Sequence, residues 1–91
     1  REFSFMKIEL SLFGAFREYD AKPSITLEVP DNAVVGDVRS ALSAHGSAHW
    51  PGFRDGLLAQ SAFASETTVL RDGEPVPADG RMAVLPPVSG G

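Results

Sequence analysis

The feature that most constrains this chain is a change of hydrophobic period partway along it. In MKIELSLF, Ile8, Leu10 and Leu12 alternate with Lys7, Glu9 and Ser11, and SITLEV repeats the pattern with Ile25, Leu27 and Val29 against Thr26 and Glu28. A period of two means a strand with one buried face. The connection GAFREYDAKPS is short and rich in turn formers, so the two strands are expected to form an antiparallel hairpin. Then the period lengthens. In PDNAVVGDVRSALSAHG, Val35, Val38, Leu42 and Ala41 fall on one face of a helix, while Asp37, Arg39 and Ser40 point elsewhere. Asp31 or Asn32 is expected to cap the start of this helix and Gly46 to end it.

The second half of the chain is more broken. Pro51, Gly52 and Gly56 interrupt regularity, and FRDGLLAQ fits a short helix. SAFASETTVLRDG turns towards strand, with Phe63, Val69 and Leu70 as apolar anchors. Turns are expected at Asp72–Gly73 and Asp79–Gly80, on either side of a short EPV segment, before a last strand RMAVL. The apolar run inside that strand places it within the sheet rather than at an edge. Strand, strand, helix, short helix and then two or three strands make an α+β layer, with a mixed sheet and one main helix packed on a face. This is the β-grasp order.

Ninety-one residues suit a single core. Residues 1–5, REFSF, read as a cloning scar ahead of a start at Met6, residues 6–85 as the β-grasp domain and residues 86–91 as an extended C-terminal tail. Cysteine is absent, which removes disulfides and thiolate chemistry and fits a reducing, cytoplasmic compartment. The net charge of −4, with eight scattered basic residues, argues against nucleic acid as a partner. No apolar run approaches the ~20 residues of a membrane span.

Candidate catalytic groups inside the domain are few. His45 and His49 have the spacing of two ligands on one helical face, but Gly46 and Pro51 are expected to break the helix and no third ligand stands nearby, so no metal is expected. The carboxylates lie mostly at turns and caps, as at Asp31, Asp37, Asp72 and Asp79, rather than in apolar stretches that would raise a pKa for acid–base work. No G-x-S-x-G or glycine-rich phosphate loop occurs. The tail is different. RMAVL runs directly into PPVSGG, where Pro86 and Pro87 favour an extended backbone that reaches about 20 Å over six residues. Gly90 and Gly91 put no side chain in the way of a narrow channel. Spacing alone leaves two readings open, a tail that inserts into a partner or a linker remnant.

With its β-grasp order and its LPPVSGG end, the chain resembles the MoaD/ThiS family of ubiquitin-like sulfur carriers, most closely the MoaD type, the small subunit of molybdopterin synthase. The resemblance covers Met6 to Gly91 and is carried by LFGAFRE, VGDVRSAL and DG…AVLPPVSGG. It implies that an E1-like enzyme of the MoeB type adenylates the carboxylate of Gly91, that a persulfide donor converts it to a thiocarboxylate, and that this sulfur passes to a cyclic pyranopterin to build the molybdopterin dithiolene. Pro86, Pro87, Val88, Ser89 and Gly90 would then enter the large subunit, of the MoaE type. The chain would bind no cofactor itself, the ATP and magnesium belonging to the activating enzyme, and would be no catalyst alone.

Matching positions also suggest an interface at the base of the tail. Phe13, out of phase with Leu10 and Leu12, reads as a partner contact, whereas Val69 and Leu85 read equally as interface or core. Arg17 would either orient partner or tail by its charge or stand solvated in its loop. Two related roles share the same fold and tail, a ThiS-type carrier and a ubiquitin-like modifier joined to lysines through Gly91. Pro-Pro-Val before the glycines favours the MoaD type.

Overall fold

The structure is a computed structural model that describes residues 4–87. The elements run β1 (Phe5–Leu12), a 3-10 turn (Gly14–Glu18), β2 (Ser24–Pro30), α1 (Val35–His49), α2 (Asp55–Ala59), β3 (Ala62–Ala64), β4 (Val69–Leu70) and β5 (Arg81–Leu85). The expected hairpin is present: β1 and β2 are antiparallel, from Phe5 opposite Pro30 to Ser11 opposite Ser24. The sheet order is β2-β1-β5-β3-β4. β5 lies parallel to β1 and antiparallel to β3, so the sheet is mixed and RMAVL is interior, as its apolar run predicts. This is the β-grasp arrangement.

The alternation sorts side chains to two faces. Leu12, Val84, Phe63 and Leu70 are register partners across four strands and form an inner row. Together with Ile8, Leu10, Leu27, Val29 and Met82 they pack against Val35, Val38 and Leu42 of α1 in one core. Ala41 and Ile25 are half-buried at its margin. Among the described residues no helix is long and apolar enough to cross a membrane.

Both expected ends of α1 are corrected. Asp31 and Asn32 lie in the turn after β2, and the helix starts later, from an extended Val34 without a side-chain cap. A cap is not needed there, because the first free N–H groups find tertiary acceptors. Val35 N donates to Glu74 O and Gly36 N to Asp72 O, both at 2.8 Å; one local bond adds to these, from Val34 N to the Asp37 carboxylate at 3.0 Å. The expected EPV segment is only an isolated bridge between Val34 and Pro75, made by Val35 N to Glu74 O and Val76 N to Ala33 O. At the other end the helix runs through Gly46 to His49. Gly46 is an interior packing position: a Cβ there would lie 2.7 Å from the Phe53 ring. The helix stops where Pro51 disfavours helical angles at the residue before it, and Trp50 is extended at φ −109°, ψ 106°.

The connection between β1 and β2, which reads from sequence as turn-rich loop, contributes to the core. Its 3-10 turn carries Phe16, fully buried, and leads into Tyr19, which stacks on Trp50 with centroids 5.3 Å apart. Phe53 closes the group edge-on to Tyr19 at 5.7 Å. This aromatic cluster ties the turn after β1 to the C-terminal end of α1.

Candidate functional site at the base of the tail

β1 and β5 run in the same direction, so both end at one edge of the fold, and Leu12 opposite Val84 is the last pair of their register. Beyond it β1 turns away through Phe13 and Gly14, while β5 continues through Leu85 into Pro86 and Pro87. Pro86 is half-buried and Pro87 exposed. Val88, Ser89, Gly90 and Gly91, the rest of the sequence-predicted tail, lie outside the described residues.

Phe13, Val69 and Leu85 all belong to the sheet face opposite α1. Phe13 follows the outward phase of Lys7, Glu9 and Ser11, and it is 45% exposed. Val69 is opposite Ala64, which is opposite Ala83, which is opposite Ser11. That outer row makes Val69 61% exposed while its neighbour Leu70 packs inward. Leu85, opposite Ala62, shares the outer phase and is half-buried. Arg17 is separate from this set, exposed in the last turn of the 3-10 segment.

The outer face is therefore apolar near the tail and charged farther down. A shallow groove is lined by Ser11, Phe13, Ala83, Ser65, Glu66 and Arg81. Arg81 pairs with Glu66 at 3.2 Å, and Glu66, aided by Glu9 and Asp79, holds the guanidinium above its ordinary range.

His45 and His49, by contrast, do share a helical face, because α1 continues through Gly46. Their rings are 4.8 Å apart, and His45 stands edge-on to Trp50 at 5.1 Å. The buried Nε2 of His45 has no hydrogen-bond partner. Burial first, and His49 second, push the His45 pKa below its usual value, while Asp20 opposes them. Asp20 in turn accepts from Lys22 N and from the Trp50 indole at 3.0 Å, and these bonds hold its carboxyl below the usual range. Among the described residues no group of three or more His, Asp or Glu side chains could hold a metal ion.

Sequence reasoning missed the two features that shape the base of the tail. Gly14 lies directly beneath the Pro86 ring, and Phe16 anchors the turn that holds Gly14. The i, i+3 spacing of Phe16 and Tyr19 is the signal that one helical turn presents two aromatics to the core.

Comparison with known proteins agrees with this fold. A model of the ThiS family matches residues 10–91. Small archaeal modifier protein 3 of Haloferax volcanii is 34% identical, over 94% of this chain and the whole of that protein. The crystal structure of SAMP1 from the same organism superposes with a TM-score of 0.69 at 29% identity, covering 94% of this chain and 100% of that one. A solution structure of a Haloferax volcanii protein gives 0.69 at 32% identity, covering 96% of this chain and 88% of the other.

Proposed function

Because the chain belongs to the ThiS family of ubiquitin-like proteins, we propose that it acts through the carboxylate of Gly91, as a modifier joined to amino groups of other proteins. The observation that carries this reading is the exit of the tail. The interior strand β5 leads without a spacer into Pro86 and Pro87, beside an outer face that exposes Phe13 and Val69. A rigid core thus presents the segment that ends in Ser-Gly-Gly, and an apolar surface is available to dock a partner. The kinship with a protein named as a modifier favours conjugation over the other roles of the family.

A terminal carboxylate has a pKa of about 3.5 and is ionised at neutral pH, which makes it a poor electrophile. Activation supplies the missing leaving group. A Gly91 carboxylate oxygen attacks the α-phosphorus of ATP on an E1-like enzyme, and pyrophosphate departs with the old phosphoanhydride bond. The resulting acyl-adenylate is open to a nucleophile, and AMP leaves when the nucleophile takes the carbonyl. A lysine amine gives an isopeptide bond, and its proton passes to solvent. ATP and magnesium act on the activating enzyme, not on this chain.

A second reading rests on the same adenylate. The stem Pro86-Pro87-Val88 favours a sulfur carrier that is the small subunit of molybdopterin synthase. In that case, after activation by a MoeB-type enzyme, the outer sulfur of a donor persulfide displaces AMP to give an acyl disulfide. A second thiol cleaves its S–S bond, leaving a disulfide on the donor side and a thiocarboxylate on Gly91 that enters a MoaE-type large subunit. Intact-mass and peptide measurements separate the two. After incubation with an E1-like enzyme, ATP and a protein lysate, conjugation leaves a Met82–Gly91 remnant on target lysines after trypsin cleaves at Arg81. Sulfur in place of one oxygen on Gly91, and dithiolene formed with large subunit and pyranopterin, would transfer the assignment to the carrier. An unmodified chain, under conditions that activate a related control protein, refutes both.

A further inference from the structure

Gly14 adopts φ +58°, and a Cβ built on it would stand 2.6 Å from Pro86 Cγ and 3.4 Å from Pro86 Cδ. Two independent constraints therefore meet at one residue. The left-handed backbone is open to glycine at little cost. The approach of the proline ring excludes any L side chain, since carbon atoms rest about 3.5–4.0 Å apart.

The surroundings make Gly14 a fixed surface rather than a loose loop. It begins the 3-10 turn in which Phe16 N donates to Phe13 O, and Phe16 is fully buried. Tyr19, one turn later, is held by its stack on Trp50. On the tail side, Leu85 is kept in the sheet by its pairing with Ala62. Pro86 is the first residue beyond that pairing, and its ring lies against the bare Cα of Gly14. Proline fixes its own φ, so a ring held in place also sets the direction of the chain that follows.

We propose that Gly14 is a positioning residue: it forms a seat for Pro86 that fixes the direction in which Pro86 and Pro87 leave the sheet, and so the efficiency with which the Gly91 carboxylate is activated. The proposal rests on the reading that Gly91 is activated. A misplacement of about 1 Å far from the reacting atoms can cost up to ~100-fold in rate. A side chain at Gly14 displaces the base of the tail by that order while leaving Phe13, Val69 and Leu85 in place to dock. The loss should therefore appear in kcat more than in KM.

Gly52 provides the matched control, because it has φ +74° and open space around it. Gly52→Ala introduces the same kind of backbone strain with nothing for the new methyl group to strike. The experiment measures ATP–pyrophosphate exchange with an E1-like enzyme that activates the wild-type chain. Gly14→Ala is expected to lower kcat/KM at least about tenfold, and Gly52→Ala to leave it unchanged, at matched thermal stability. In a Pro86→Ala background, which lacks Cγ and Cδ, Gly14→Ala should have no further effect. Equal activity of the two single variants overturns the proposal, as does a Gly14→Ala penalty that persists without the Pro86 ring. A measurement without any variant guards against misfolding: the wild-type protein should show an NOE between the Gly14 α-protons and the Pro86 ring protons. Absence of that NOE with adenylation intact overturns the seat alone, whereas absence of adenylation with the NOE present overturns the activation reading and the role built on it.

Discussion

Arg39 on α1, a half-buried polar residue, should be one of the most costly polar side chains of that helix to remove, and the structure says why. Its Nη1 donates to Leu58 O at 2.6 Å and to Ser61 O at 2.9 Å, while Nε and Nη2 grip the Asp72 carboxylate at 3.1 and 2.8 Å. The guanidinium also lies over the Phe63 ring, 5.0 Å from its centroid. One side chain thus joins the helix to the α2–β3 turn and to the loop before β5. The Asp72 half is the weaker part, since the carboxylate is 54% exposed, and such pairs contribute about 0.2–1 kcal/mol. The carbonyl bonds are partly buried and charge-assisted, a class worth about 1.5–3 kcal/mol, and the ring contact adds about 0.5–1 kcal/mol. Allowing water to replace some of this, Arg39→Ala should cost about 2–4 kcal/mol, against at most about 1 kcal/mol for Asp72→Ala. For a domain of this size the larger loss is a fall in Tm of roughly 10–30 °C. Arg39→Lys keeps the charge but not the fork, and should fall between the two. Urea unfolding at neutral pH measures all three. If Asp72→Ala proves as damaging as Arg39→Ala, the ion pair rather than the carbonyl strut holds these elements together, and the reasoning fails.

Three further expectations concern other parts of the molecule. Gly46→Ala gains about 1 kcal/mol of helix propensity but drives a methyl group into the Phe53 ring, at a cost of about 1–3 kcal/mol, so it should destabilise in the wild-type background and stabilise in Phe53→Ala; chemical denaturation of the four-protein cycle tests the reversal of sign. His45 has its folded pKa below the unfolded value of 6.5, so the unfolded chain binds more protons between the two; stability is complete above pH 6.5 and is lost as pH falls through the folded pKa, and His45→Phe should flatten that part of a Tm-against-pH curve. A single residue added after Gly91 should abolish adenylation without changing Tm, because it buries the reactive carbonyl in a peptide bond; continued activation of that variant counts against Gly91 as the reactive group.

Much of the fold was legible because its signal is local. Alternation at Ile8, Leu10 and Leu12 and at Leu27 and Val29 marks buried faces correctly, and the same rule assigns Val35, Val38 and Leu42 to one helical stripe. Phe13 could be singled out for the same reason, as an aromatic in the outward phase of a strand. The ends of α1 were not legible. Capping rules assume that helix termini are satisfied by nearby residues, but here Glu74 and Asp72 supply the acceptors from the far side of the chain. Gly46 was mistaken for a stop signal because nothing local reveals that the ring of Phe53 needs its space.

The sequence by itself determined the β-grasp order, the interior position of the last strand and, through its LFGAFRE, VGDVRSAL and LPPVSGG motifs, the family. Each of these follows from periodicity or from a contiguous motif, which a chain carries in one dimension. Only the tertiary structure decided that Phe13, Val69 and Leu85 share an outer face and that Phe16 and Trp50 hold the turn after β1. It also decided that Gly14 receives Pro86. Gly14 and Pro86 are separated by nearly the whole domain in sequence, and they meet because β5 inserts parallel to β1 and both strands end at the same edge.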